Sequence, residues 1–216
     1  MHYLFDLDGT LTDPGLGITN SILYALKKLG KPCPAREALF PWIGPPLYGS
    51  FMKYAGCDAN EAQAGLDYYR EYFGVTGLFE NKAYDGIAEM LAALKRGGHN
   101  IYLATSKPEE FAVQILEHFG LLPYFDLTVG NTLDEARPTK EAVIRHLRKL
   151  VPDISKENAL MIGDREMDVE GAHAAGLPCV GVLYGYGSRD ELEKAGADYI
   201  AEDIAQLGAL LGGFKA

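Results

Sequence analysis

The hydrophobic positions of this chain change period along its length. Residues 2–7 form a short apolar run that reads as a strand, and Ile18, Ile22, Ala25, Leu26 and Leu29 then recur at helical spacing until Gly30. Two more helical stretches follow with no strand between them, one around Leu47, Phe51, Met52 and Ala55, the other around Ala62, Leu66, Tyr69 and Phe73. Three consecutive helices predict an inserted helical unit. From Asp85 the alternation becomes regular: helix 85–96, strand 99–104, helix 108–119, strand 127–130, helix 140–150, strand 159–162, helix 167–175, strand 179–183, helix 189–194, a short strand at 198–200 and a closing helix. Strands that alternate with helices require right-handed crossovers, so the expected class is α/β with a mainly parallel sheet covered by helices on both faces.

Composition narrows the function without naming it. With 216 residues, 48% hydrophobic and 23% charged, the chain has the apolar content of an ordinary globular protein, which excludes intrinsic disorder and collagen-like architecture. Twenty basic against thirty acidic side chains give a net charge of −10, a poor match to nucleic-acid phosphates. Cys33, Cys57 and Cys179 are scattered and lack C-x-x-C spacing, which fits a reducing compartment. The five histidines are equally dispersed and form no H-x-x-x-H ligand pair. The longest apolar runs, such as 159–163, are far too short for a bilayer, and the opening residues carry neither a basic leader nor a cleavage site. The expectation is a cytoplasmic protein with no membrane partner.

Ligands of open parallel sheets bind beyond the carboxyl ends of the strands, so the residues just after each strand carry the chemistry. Four such places here are polar. They are Asp6-Leu7-Asp8-Gly9-Thr10-Leu11-Thr12-Asp13, Thr105-Ser106-Lys107, Arg137-Pro138-Thr139-Lys140 and Gly163-Asp164-Arg165-Glu166-Met167-Asp168. Asp6 and Asp8 sit two apart, the spacing that projects side chains to one side before Gly9 turns the chain. A cluster of acids repels itself and any phosphate dianion, so a hard divalent cation is needed beside it, and Mg2+ is the natural choice. A calcium loop is excluded because Gly9 comes too early and Gly17 stands where a bidentate Glu is required. No G-x-x-x-x-G-K-[ST] loop occurs, and neither Gly15-x-Gly17 nor Gly185-x-Gly187 has the third glycine of a dinucleotide loop.

In order along the whole chain, D-x-D-x-T, then Thr-Ser, Lys and G-D-x-x-x-D resemble the haloacid dehalogenase-like hydrolases. The DLDGTLTD opening, Thr105-Ser106-Lys107-Pro108 and the stretch Gly181-Val182-Leu183-Tyr184-Gly185-Tyr186-Gly187 resemble the phosphoglycolate phosphatase-like branch. The resemblance implies a Rossmann-like core over residues 1–13 and 82–216 and a small helical cap over 14–81. It also implies a phosphatase in which Asp6 is the nucleophile and Asp8 the general acid and base. Thr105, Ser106 and Lys140 would bind the phosphoryl group, while Asp6, the Asp8 carbonyl and Asp164, supported by Asp168, would hold Mg2+. Many relatives place the lysine immediately before Pro, where this chain has Arg137; Lys140 is expected in the role, with Arg137 as the alternative. In the cap, Trp42, Gly44 and Pro45 are candidate substrate contacts, and Arg36, Lys53 and Arg70 are candidate partners for a substrate carboxylate. Phosphoglycolate is the leading substrate on this reading. A 5'-nucleotide, a sugar phosphate and mutase-like phosphoryl transfer follow it. A phosphoacceptor signalling module is the rival from another class. The partner is a small phosphorylated metabolite and the oligomeric state monomer or homodimer.

Overall fold

The computed structural model describes residues 1–214, which divide into two compact units: 1–12 with 83–214, and Asp13–Lys82. In chain order the elements are β1 (His2–Phe5), β2 (Thr12–Asp13), α1 (Gly15–Lys28), α2 (Leu47–Ala55), α3 (Ala59–Tyr72), β3 (Lys82–Ala83), α4 (Ile87–Arg96), β4 (Asn100–Pro108) and α5 (Glu109–His118). There follow β5 (Leu127–Asn131), α6 (Lys140–Leu150), β6 (Ala159–Gly163), α7 (Glu166–Ala174), β7 (Cys179–Val182), α8 (Arg189–Ala195), β8 (Tyr199–Ala201) and α9 (Ile204–Gly212).

In the larger unit six strands form one parallel sheet in the order β5-β4-β1-β6-β7-β8. β1 lies between two neighbours, with Leu4 opposite Tyr102 on one side and Met161 on the other. All four of its residues are buried, which is why it reads in the sequence as an apolar run rather than an alternation. Leu4, Tyr102 and Met161 pack under Val143, Ile144 and Leu147 of α6 and Val169 and Ala172 of α7. Each fully buried aliphatic side chain there contributes roughly 1.5–3 kcal/mol. Strand alternation sends Tyr3 to the opposite face, where its hydroxyl donates to the Leu211 carbonyl of α9 at 2.6 Å. Both faces are therefore covered. The chain leaves β1 toward β4 and β5, then returns to place β6 on the other side of β1. The carboxyl end of β1 is thus the topological switch point, where open α/β sheets bind their ligands.

Three local features depart from the expected pattern. β4 runs on through Pro108, and α5 starts at Glu109, because residues 105–107 form a bulge and Pro108 stays extended with ψ at 127°. Residues Arg36–Trp42 form a 3-10 segment containing Pro41, too short and irregular to show a helical period. α3 closes in a π turn at Phe73–Gly77. In the helical unit Trp42 is 3% exposed, edge-on to Phe51 at 5.3 Å and stacked on Tyr54 at 5.5 Å. Among the described residues no helix is long and apolar enough to cross a membrane.

Candidate active site

Asp6 is the first residue beyond β1, and its N–H still donates to the Ile162 carbonyl at 2.9 Å, which anchors it at the strand end. Lys140 is the first residue of α6. Thr139 caps that helix, its hydroxyl accepting the Ala142 N–H at 3.2 Å, and this start places the lysine stem inside the core unit. The Lys140 ammonium lies 2.8 Å from Asp6 Oδ1 and 2.8 Å from Asp168 Oδ1, and donates to the Ala104 carbonyl at 2.9 Å. Three oxygens thus surround the ammonium. Burial disfavours its charge, but Asp168 and Asp6 more than offset that penalty and raise its pKa.

Arg137 is placed elsewhere: its Nε donates to the Gly130 carbonyl at 2.7 Å and its Nη2 lies 3.2 Å from Glu109 Oε2. Of the two cations left open by the Arg-Pro-Thr-Lys sequence, Lys140 is the one that reaches Asp6.

Asp164 follows β6, and Asp168 is the third residue of α7. The helix turn directs the Asp168 carboxylate back to the helix start, where Oδ2 accepts the Arg165 N–H at 3.1 Å. Both Asp168 oxygens are thereby engaged. Asp168 is 1% exposed, so it is no solvated surface acid. Asp164 Oδ2 accepts the Tyr186 N–H at 2.7 Å, while Oδ1 is buried without a hydrogen-bond partner. The loop that supplies Tyr186 can lie this close because its neighbour is glycine: a Cβ on Gly185 would stand 2.5 Å from Asp164 Oδ2 and 2.3 Å from the Gly9 carbonyl. Gly9 itself has φ of 81°, and a Cβ there would meet the same carboxylate at 2.1 Å. Tyr184 closes the loop, its hydroxyl donating to the Thr10 carbonyl at 3.0 Å.

Asp6, Asp164 and Asp168 each offer a carboxylate oxygen, and these atoms lie within 4.8 Å of one another. Burial raises the pKa of Asp164 and of Asp168, each made worse by a neighbouring carboxylate. Burial raises that of Asp8 as well, against the pull of Lys107. Four carboxyl groups, of Asp6, Asp8, Asp164 and Asp168, face two ammonium groups, Lys107 and Lys140, so acids outnumber cations at the site. An all-oxygen donor set with an excess of acids and an orphaned Asp164 Oδ1 fits a hard divalent cation.

Thr105, 1% exposed, accepts the Lys107 N–H through Oγ1 at 3.2 Å, and Ser106 is half-buried beside it. Neither caps α5, which has no side-chain cap. Lys107 lies in one of the polar segments of the sequence but is given no role there; the structure puts its Nζ 2.6 Å from Asp8 Oδ2. The signal available was its place directly after a strand, in a segment already polar. In the helical unit the Arg36 guanidinium is engaged by Thr19 Oγ1, the Leu16 carbonyl and Asn20 Oδ1, and Lys53 lies over the Tyr54 ring at 4.8 Å.

Comparison with known proteins identifies the family of the chain. The sequence model of the haloacid dehalogenase-like hydrolases matches residues 3–182. A 5'-nucleotidase of Pseudomonas aeruginosa is 47% identical over 96% of this chain and 94% of its own. The tyrosine-protein kinase PtkA of Mycobacterium tuberculosis is 36% identical over 97% and 72%, and phosphoglycolate phosphatase 1 of P. aeruginosa 30% identical over 94% and 77%. A predicted phosphatase from Clostridium acetobutylicum has the same fold at a TM-score of 0.94, with 48% identity and 97% of each chain covered. An acid cluster at the switch point of a parallel sheet, in a chain with these relatives, makes this protein a member of the haloacid dehalogenase-like hydrolases, a phosphatase of the phosphoglycolate phosphatase-like branch.

Proposed function

We propose that this phosphatase hydrolyses a small phosphate monoester in two displacements through an aspartyl phosphate on Asp6, with Mg2+ as cofactor. The observation that carries the reading is the Asp6–Lys140–Asp168 arrangement beside the orphaned Asp164 oxygen. An Asp6 oxygen attacks phosphorus, the ester P–O bond breaks, and Asp8 gives its proton to the departing alcohol. Asp8, now a carboxylate, takes a proton from the water that attacks the phosphoryl group, which releases inorganic phosphate and restores Asp6. Thr105 and Ser106 bind phosphoryl oxygens from the end of β4. Lys140 holds Asp6 in place and offsets charge on the transferring group. Asp6, Asp164 and the Asp8 carbonyl would hold the cation, and Asp168, with both oxygens engaged, supports the site by fixing Lys140. When bound there, Mg2+ supplies positive charge to acids and phosphoryl oxygens that would otherwise repel.

A 5'-nucleotide now ranks ahead of phosphoglycolate as substrate. The 5'-nucleotidase is similar at 47% over nearly both full lengths, the phosphoglycolate phosphatase at 30%. Arg36, one cation considered for a glycolate carboxylate, is held by its own unit. Gly44 and Pro46, which are exposed, and the half-buried Pro45, rather than the buried Trp42 ring, are the parts of the 42–46 loop available to a substrate. The partner is a small phosphorylated metabolite, and the protein acts as a monomer or homodimer in the cytoplasm.

The test is a phosphate-release panel of nucleotides, phosphoglycolate and sugar phosphates, with Mg2+ and after chelation. Repeated turnover with Mg2+ is expected, best on a 5'-nucleotide, with activity lost on chelation and not restored by Ca2+, whose looser coordination suits the site less. Mg2+ is also expected to raise Tm by selective binding to the folded state. Full activity of metal-free protein would remove the cation from the account. A phosphorylated state that persists without releasing phosphate would favour the signalling reading instead. Substituting Gly44 or Pro45 is expected to shift preference among esters more than it lowers activity on the best one.

A further inference from the structure

The two lysines at the acid cluster divide it between them. Lys140 serves Asp6 and Asp168, whereas Lys107 Nζ lies 2.6 Å from Asp8 Oδ2, with the two side chains only 6% and 14% exposed. The contact joins residues 99 apart in sequence and is built by the irregularity in β4. Ala104 pairs with Val129 and Pro108 with Asn131, so Thr105, Ser106 and Lys107 together oppose the single residue Gly130. A bulge of this kind re-aims the side chains it carries. Gly130 permits it, since a Cβ there would come within 2.7 Å of the Lys107 carbonyl and 2.8 Å of the Glu109 nitrogen. The Lys107 N–H is tied to Thr105 Oγ1 at 3.2 Å, so the lysine is anchored at its backbone as well as at its tip.

The consequence lies in the other oxygen of Asp8. Oδ1 is buried and has no hydrogen-bond partner. With Oδ2 clamped, Oδ1 is the oxygen available for proton exchange. We propose that Lys107 is a positioning residue which, by holding Asp8 Oδ2, presents Oδ1 to the leaving-group oxygen. The inference rests on the reading of Asp8 as the acid. The proton passes from Asp8 Oδ1 to the ester oxygen as the P–O bond breaks, and Asp8 regains it from the attacking water.

Leaving groups separate this role from simple phosphate binding. An alkyl alcohol must be protonated as it departs, whereas a dinitrophenolate leaves without help. The kcat/KM value reports steps up to formation of the aspartyl phosphate, so it isolates the step in which Asp8 is an acid. Lys107→Met keeps the stem and removes the clamp. It is expected to lower kcat/KM by about 30-fold on glycerol 2-phosphate and by less than about 3-fold on 2,4-dinitrophenyl phosphate, within the range of general-acid effects. Lys107→Arg is expected to recover much of the loss on the alkyl ester. Lys107→Gln, which retains a hydrogen-bond donor, supplies the same comparison should the Met variant fold poorly. Equal losses on both esters, or none, would overturn the assignment while leaving the phosphatase reading intact. A wild-type protein that releases no phosphate from these esters or from any nucleotide or small phosphate ester of the panel would overturn the reading and the inference together.

Discussion

Asp6→Asn is expected to fold as the wild type and to lose at least about 10³-fold in turnover, because an amide is a poor nucleophile toward phosphorus. The fold is expected to survive because the amide matches the carboxylate in shape, and Lys140 keeps Asp168 Oδ1 and the Ala104 carbonyl as partners. Phosphate release by the purified variant, with its Tm recorded alongside, separates chemistry from folding. Turnover near the wild-type value would remove Asp6 from the nucleophile's role.

The largest stability effect is expected at Lys140. Lys140→Met keeps much of the stem but leaves Asp6 and Asp168 without the ammonium that both contact, in surroundings where the lysine is 2% exposed and Asp168 2%. Breaking a buried ion pair from one side costs about 3–5 kcal/mol, which in a chain of this size lowers Tm by roughly 10 °C. Arg137→Met is the control. It removes an ion pair to the 39% exposed Glu109 side chain, worth about 0–1 kcal/mol, and the hydrogen bond to the Gly130 carbonyl, worth about 1 kcal/mol or more, and activity is expected to stay close to wild type. Thermal melts and phosphate release of the two variants, side by side, check the assignment. A marked loss of activity in Arg137→Met with little change in Lys140→Met would reverse it.

The strands that build the site were legible because central parallel strands are apolar on both faces: β1 and β6 appear as uninterrupted runs, and their carboxyl ends are marked by the first acids that follow. Asp6, Asp8 and Asp164 could therefore be found by position, whereas Asp168, which follows Glu166, was marked only by the G-D-x-x-x-D spacing of the resemblance. The choice between Lys140 and Arg137 could not be made by position. Both flank Pro138 in one polar segment, and only the start of α6 at Thr139 decides which side chain reaches Asp6. Lys107 was hidden for a related reason. Its partner lies 99 residues away, and the bulge that aims it has no hydrophobic period of its own. Trp42 is a third case. Beside Gly44, Pro45 and Pro46 it reads as either a substrate contact or a core aromatic, and its ring packs on Phe51 and Tyr54 inside the helical unit. Local composition marks a loop well, but it does not say which way one large side chain turns.

The central claim is the covalent intermediate on Asp6, and the most direct measurement is to acid-quench the enzyme during turnover of a phosphate monoester and locate the phosphoryl group by peptide mass spectrometry. A phosphoryl group is expected on the peptide that carries Asp6, present in wild type and absent in Asp6→Asn. Sustained phosphate release with no phosphorylated enzyme, or a phosphoryl group on Ser106, Thr105 or a histidine instead, would contradict it.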